Sequence, residues 1–385
     1  MKNVYLTCGL VRYTEQSHAM QGIAFPTSVH FFPQLYRNAH MGLISPAQRL
    51  LDDVVDEATR KLQPESNKAS NAQRALILAA GNTVFAGTQI RKRQAGSVLD
   101  YESRNRTLQT TQVQAGRVAQ ALAATGHIST DTSACASSMK ALMDALHLIQ
   151  QHGFESVGIV AVEDQVSLGI LDFFGDMGIC LSQAELEQGI RPSAFDSHNR
   201  GFLIAQGAAL VWLETEASMR QSGRQPLARL LAAVTAGESC NNPWGQDPQG
   251  TGYESAIQWA LRQAQRLPSS IDLVKTHGTG TVLNNLAEAA ALRRVFADRL
   301  LATAYKPRIG HTFGASGLLE SVLAITDARA GVVRGIANRS ETDNVFLSHD
   351  QNHRIQHILA LSAGMGNVYG AAIWEVIHPC TQTAY

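Results

Sequence analysis

The sequence predicts an α/β protein, layered with helices on both faces of its strands and assembled from two similar halves. Three observations predict it. Short continuous apolar runs, the pattern of strands buried on both faces, alternate with stretches of helical periodicity. The 385 residues suffice for a large two-core protein or one big duplicated domain. Cys135-Ala136-Ser137 opens one apolar helix, and Gly314-Ala315-Ser316 opens another about half a chain later. That echo is weak alone, because small residues commonly start helices, but it fits two halves with a buried helix each.

Residues 4–10 read as a first strand, and 17–45 as an irregular stretch punctuated by Pro26 and Pro33. Residues 48–62 have helical spacing, with Leu50, Leu51, Val54, Val55 and Ala58 on one face. Residues 75–80 form an apolar run ending in Gly81, a strand buried on both faces. The polar segment 91–106 reads as a surface excursion, and 111–125 as a helix. Residues 156–162 are another buried strand, followed at once by Glu163 and Asp164. A loop of glycine and methionine follows over 173–182, then an apolar run at 208–213. A glycine- and asparagine-rich loop (237–252) precedes a helix at 254–267. Residues 271–275 and 355–362 read as strands, 286–297 and 317–330 as helices.

Lysine plus arginine equals aspartate plus glutamate, 32 each, so no basic face points to nucleic acid or to an anionic membrane. Five widely spaced cysteines without a C-x-x-C pair argue against a disulfide framework and a structural zinc site, and fit a reducing cytoplasm. The first ten residues are too quickly interrupted for a signal peptide, and no apolar run is long enough to span a bilayer. A soluble, cytoplasmic protein is the expectation.

The chain is organised around residues 131–151. Ser133, Ser137 and Ser138 bracket a helix start, as N-cap residues do. Lys140, Asp144, His147 and Gln151 form one narrow polar stripe on a helix otherwise small or apolar, hence mostly buried. Cys135 sits where free N–H groups and the positive end of the helix dipole converge, a setting that favours a thiolate and can hold an oxyanion. The competing reading is a buried structural cysteine. Two further stretches bear on the choice: Val274-Lys275-Thr276-His277-Gly278-Thr279-Gly280-Thr281, and the run from Lys306 through His311 and Gly314 to Glu320. Each sets a histidine beside glycine, where backbone and ligand approach closely. One such histidine is ordinarily a structural hydrogen bonder; two, with the cysteine, point to a site.

On these residues the sequence resembles the β-ketoacyl synthases, condensing enzymes of the thiolase fold, over nearly its whole length. The resemblance rests on residues 132–141, Glu163, residues 195–202, residues 277–281, residues 306–320 and the turn 362–366. It implies a thiolase-like fold with layered α-β-α-β-α architecture, one half (1–215) carrying the nucleophile and the other (216–385) the two histidines. It implies that Cys135 accepts an acyl chain from a carrier thioester, that His277 and His311 are catalytic, and that Lys306 and Glu320 support them. Thr279 and Thr281 match positions that hydrogen-bond the pantetheine arm. The oxyanion hole would be formed by the N–H groups of Cys135 and Met365. No metal or cofactor is implied, the substrates riding on the phosphopantetheine of an acyl carrier protein.

Departures from the family pattern concentrate in the last turn. Ala363 and Met365 stand where phenylalanines are usual, one of which gates the site. The expectation is more room near Cys135 and tolerance for long, stiff acyl chains, as in the aryl-polyene ketosynthases, which pair with a shorter, silent partner. Asn285 replaces a usual aspartate, although Glu288 is kept, and Gln206 replaces a glutamate. A dimer is expected, either of two copies or with a ketosynthase-like chain-length partner. The alternatives are a non-elongating relative (a thiolase, an acyltransferase or a chain-length partner) and a structural protein that inherited the fold. Thiolases usually place a second cysteine in the terminal glycine turn, where this chain has Met365, and a silent partner would be expected to lack Cys135.

Overall fold

The structure, a computed structural model, describes residues 2–13, 46–62, 73–81, 110–163, 173–197, 201–238, 245–297, 300–341 and 345–379. The stretches read as irregular (17–45) and as a polar excursion (91–106), together with Asp164, Cys240 and Cys380, lie outside the described residues.

The first half supplies β1 (Val4–Tyr13), α1 (Pro46–Leu62), β2 (Arg74–Ala79), α2 (Thr111–Ala121), β3 (His127–Asp131), α3 (Ser137–Gln151), β4 (Ser156–Glu163) and β5 (Gly207–Thr215). The second supplies β6 (Ala228–Gly237), α4 (Thr251–Ala264), β7 (Leu273–Lys275), α5 (Val282–Phe296), β8 (Leu301–Thr303), α6 (Ser316–Arg329), the short pair β9 (Val332–Val333) and β10 (Gln351–Asn352), β11 (His357–Gly364) and β12 (Val368–Val376). Ten strands hydrogen-bond in the order β3-β2-β4-β5-β1-β6-β12-β11-β7-β8. The order is a mirror about the β1–β6 junction, where Val4 pairs with Leu230 and Leu6 with Ala228. In each half three outer strands are parallel and the inner two antiparallel.

Hydrophobic burial turns this mirrored sheet into five layers. On one outer side, Leu51 and Val54 of α1 and Val118 of α2 pack on Leu76, Val160 and Leu210. On the other, Ile257 of α4 and Leu292 of α5 pack on Val274, Leu359 and Ile373. Between the two sheet halves lie α3 and α6, whose Leu142, Leu146, Leu318 and Ile325 share one cluster with Ile77 and Ile159 of the first half and Ile358 and Trp374 of the second. A helix with a sheet on either side has no face left for water, which is why α6 is apolar nearly all round. α3 keeps one wet edge, where Lys140 pairs with Asp144 (2.6 Å) and Asp131 (3.0 Å), the stripe read from the sequence. No described helix is long and apolar enough to cross a membrane.

Four sheet strands escape the sequence reading. β3 and β8 are short, and β3 is an exposed, polar edge. β6 is rich in alanine, which carries little strand propensity, and β12 is interrupted by Gly370-Ala371-Ala372, yet both are central strands held by ladders on both sides.

Candidate active site

β3 leads into α3 through a tight turn. Ala134 adopts φ +48°, the left-handed region, and opens the 3₁₀ turn Ala134–Ala136, which carries Cys135. The second half repeats the device: Phe313 at φ +40° opens the turn Phe313–Ala315 ahead of α6. The internal echo of the sequence is therefore a structural repeat of the nucleophile turn, with Gly314 in the place of Cys135.

The serines do not cap α3. Ser137 Oγ donates to the Ala80 carbonyl (3.1 Å) and the Ala134 carbonyl (2.6 Å), and Ser138 Oγ accepts from the Leu318 N–H (3.0 Å). Both helix starts meet in the buried middle layer, so these hydroxyls tie neighbouring elements together instead. The expected thiolate also needs correction. Burial pushes the Cys135 thiol up to about 12, with Lys306 pulling weakly the other way. The thiol sits in a cup of Phe174, Phe202, Ile204 and Phe313, and such surroundings disfavour an anion more than the helix dipole favours it.

His277 follows β7 on a clamped backbone. Its N–H donates to Glu288 Oε1 (2.6 Å), the Gly278 N–H to Glu288 Oε2 (2.9 Å), and Lys306 Nζ donates to the His277 carbonyl (2.7 Å). His311 is pinned to the segment beside it: its N–H donates to the Leu203 carbonyl (2.7 Å) and its carbonyl accepts from Ala205 (3.0 Å). Its Nδ1 accepts from the Phe313 N–H at 3.2 Å, which places the imidazole proton on Nε2. The two rings stand 5.4 Å apart, nearly perpendicular. Burial first, and the Lys306 charge second, hold both imidazoles well below the usual histidine range, so both are neutral at physiological pH.

Behind them, Glu320 takes an ammonium on each oxygen: Lys306 Nζ at 2.7 Å and Lys275 Nζ at 3.0 Å, all three groups fully buried. The threonine run is held by Gly280, at φ +76°, whose missing Cβ leaves space for the Ser193 carbonyl. Thr279 and Thr281 hydrogen-bond each other through their hydroxyls (3.0 Å). The end of β11 docks onto the nucleophile turn: Ser362 Oγ donates to the Cys135 carbonyl (2.7 Å), and a Cβ on Gly364 would lie 3.3 Å from the Cys135 nitrogen.

Cys135, His277, His311, Thr279, Thr281, Ala363 and Met365 all face one cavity of about 420 Å³. Its polar lining includes the two threonines and Asn284. Its apolar lining includes Phe174, Phe202 and Phe313, ring centroids 5.2–6.3 Å apart, with Met177, Ile179 and half-buried Met365 packed beside them. The expectation of an opened site is thus corrected in part. The last turn lacks aromatic rings, but three rings from distant segments stand around Cys135. Phe313 stacks on His311 (4.7 Å, 21°) and Phe202 meets it edge-on (4.9 Å).

The chemistry open to this arrangement is acyl transfer. A thiol and two neutral N–H-bearing imidazoles share one cavity, so a carbonyl held there meets a nucleophile and donors for its developing oxyanion together. Sequence reasoning missed Lys275, Phe174 and Phe313; a lysine closing the apolar strand Leu273–Lys275 was the available signal for the first. Asn285 is buried with neither amide atom partnered among the described residues, and Gln206 is buried too.

The β-ketoacyl synthase N-terminal domain family matches residues 13–218, and the β-ketoacyl synthase C-terminal domain family matches residues 227–339. The chain belongs to the β-ketoacyl synthase family. It is 30% identical over 217 residues to 3-oxoacyl-[acyl-carrier-protein] synthase 2 of Mycobacterium leprae (strain TN), covering 56% of this chain and 51% of that protein. It thus spans about half the length of that relative. In structure it resembles a ketosynthase, bound to the hexaketide, from a type II polyketide synthase complex with its acyl-carrier protein (TM-score 0.80, 17% identity, covering 98% of this chain and 99% of that one). It also resembles the ishigamide ketosynthase/chain length factor (TM-score 0.70, 21% identity, covering 79% and 75%). The fold these synthases share is thiolase-like.

Proposed function

We propose that this chain is a β-ketoacyl-[acyl carrier protein] synthase, catalysing decarboxylating Claisen condensation in fatty-acid-like or polyketide biosynthesis. The observation that carries it is the convergence of Cys135, His277 and His311 on one cavity, with the His311 proton set on Nε2 by the Phe313 N–H.

The Cys135 sulfur attacks the acyl thioester, and its proton leaves on the carrier's thiol. The N–H groups of Cys135 and Met365 receive the tetrahedral oxyanion. Malonyl-carrier then enters, with its pantetheine arm along Thr279 and Thr281. Loss of carbon dioxide breaks the bond between the carboxylate and C2, leaving the electron pair as an enolate whose oxygen accepts hydrogen bonds from His277 and His311. C2 attacks the acyl-cysteine carbonyl, the new carbon–carbon bond forms, and the Cys135 thiolate is expelled and reprotonated. Because the resting thiol is held near 12 by burial, its proton leaves only when the attack is under way.

The aromatic wall of Phe174, Phe202 and Phe313 favours flat, unsaturated acyl chains, which stack on rings where saturated chains make only apolar contact. That supports an acyl class of the aryl-polyene kind. In this reading the chain divides near residue 215 into a nucleophile half and a histidine half, and needs no cofactor beyond the carrier's phosphopantetheine. It works in the cytoplasm as a dimer with itself or with a chain-length partner.

The test is purified protein with acyl- and malonyl-loaded carrier, read by intact-protein mass spectrometry. Wild type should form an acyl adduct and a β-ketoacyl carrier. Cys135→Ala should form neither while keeping its circular dichroism, and a stable adduct on that variant would refute the assignment.

A further inference from the structure

Lys275 is a buried charged side chain beside the histidines that the reaction as derived does not use. It lies two residues before His277. Its Nζ donates to Glu320 Oε2 (3.0 Å) and to the Leu361 carbonyl (2.5 Å). Those two bonds join three pieces of the site. Glu320 belongs to α6 and also holds Lys306, which in turn holds the His277 carbonyl. Leu361 belongs to β11, one residue before Ser362, which bonds the Cys135 carbonyl, and four before Met365. Lys306 with Glu320 alone would satisfy the ion pair. The second lysine adds a cross-tie between the histidine loop and the nucleophile turn, and a second cation near both imidazoles.

We propose that Lys275 is a positioning residue for decarboxylation: through Glu320 and Leu361 it sets the histidine pair against the Cys135–Met365 turn. This rests on the function proposed above. The charged and titratable groups around the pair are Lys275 at the end of β7, Lys306 on the short helix Lys306–Ile309, Glu320 on α6, Glu288 on α5, Glu163 at the end of β4 against the Gly314 N–H, Glu185 on the cavity wall, and Cys135 ahead of α3. Glu288 lies against the His277 backbone and Glu320 is already neutralised by Lys306, so removing Lys275 subtracts positive charge and raises the affinity of both rings for protons. Lys275→Met leaves Glu320 paired with Lys306, so no buried charge is orphaned. Lys275→Gln keeps an N–H for Glu320 without the charge, and serves if the methionine variant does not fold.

The experiment uses the full chain and measures three things on wild type and variant. These are malonyl-carrier decarboxylation, acylation of Cys135, and the titration of the two histidines by ring-carbon NMR, assigned with His277→Gln and His311→Gln. The expected result is a fall in decarboxylation kcat on the order of tenfold to a hundredfold, the scale of a misplaced catalytic group. KM should stay near wild type, the acylation rate should fall clearly less than decarboxylation, and both histidines should titrate at higher pH than in wild type. Unmoved histidine titration, unchanged decarboxylation, or equal loss of both half-reactions each overturns the proposal. If wild type itself fails to decarboxylate malonyl-carrier, the functional reading falls, while the NMR titration still decides whether Lys275 holds the imidazoles neutral.

Discussion

The neutrality of His277 and His311 has a thermodynamic signature that can be measured without any substrate. Each imidazole is buried against cations and stays neutral in the folded chain, whereas unfolding returns it to its ordinary value of 6.5. Below 6.5 the unfolded chain binds protons that the folded chain refuses, so stability is full above that pH and is lost as pH falls through it. At about pH 5.5 each such histidine costs on the order of 1 kcal/mol, and at about pH 7.5 almost nothing. The pair together therefore accounts for a few kcal/mol between those two conditions. A double variant, His277→Gln with His311→Gln, has no proton to refuse at either position. The assay is urea unfolding of wild type and double variant at about pH 7.5 and about pH 5.5, where other titrating groups cancel in the difference. The stability of wild type relative to the variant should fall by a few kcal/mol on acidification. A difference that does not change with pH would mean the folded imidazoles take up protons normally, and the case for two neutral donors at the enolate would fail.

Three further outcomes are expected. Replacing either histidine by alanine should slow decarboxylation by a factor on the order of a hundred or more, the scale for losing one oxyanion donor, with acylation of Cys135 less affected; equal loss of both half-reactions would favour a merely structural role. Met365→Phe, alone or with Ala363→Phe, adds rigid rings to a cavity of about 420 Å³ already walled by three, and should slow long unsaturated acyl carriers more than short saturated ones; slowing of both by the same factor would detach the last turn from chain selection. Ser138→Ala orphans the Leu318 N–H in the first turn of α6, and should cost about 1–3 kcal/mol in urea unfolding with little change in the acylation rate; an unchanged midpoint would show that the bond between the two central helices contributes nothing.

Much of this protein is legible in its residues. Period and burial pattern alone mark β2, β4, β5 and the helices α1, α3 and α6, because an element with an apolar face announces its period. Cys135, His277 and His311 can be singled out as well, since each stands in a stretch of small residues that lets backbone approach a ligand, whereas Lys306, Glu320, Thr279 and Thr281 are named by the resemblance to the family. The echo between Cys135 and Gly314 already hints at the duplicated turn.

Three features were decided only by tertiary structure. Strand β6 is half alanine and glycine and is a strand because neighbouring ladders hold it, which no local propensity records. The state of Cys135 is set by a sum over the whole fold: a helix start read alone favours the anion, but the rings of Phe174, Phe202 and Phe313 converge from three separate segments, and their desolvation prevails. The part of Lys275 depends on Glu320 and Leu361, 45 and 86 residues away. Sequence order carries periodicity and chemical type along one dimension. Burial and charge act through space, and here they are fixed by a sheet that folds its two mirrored halves over the same pair of helices.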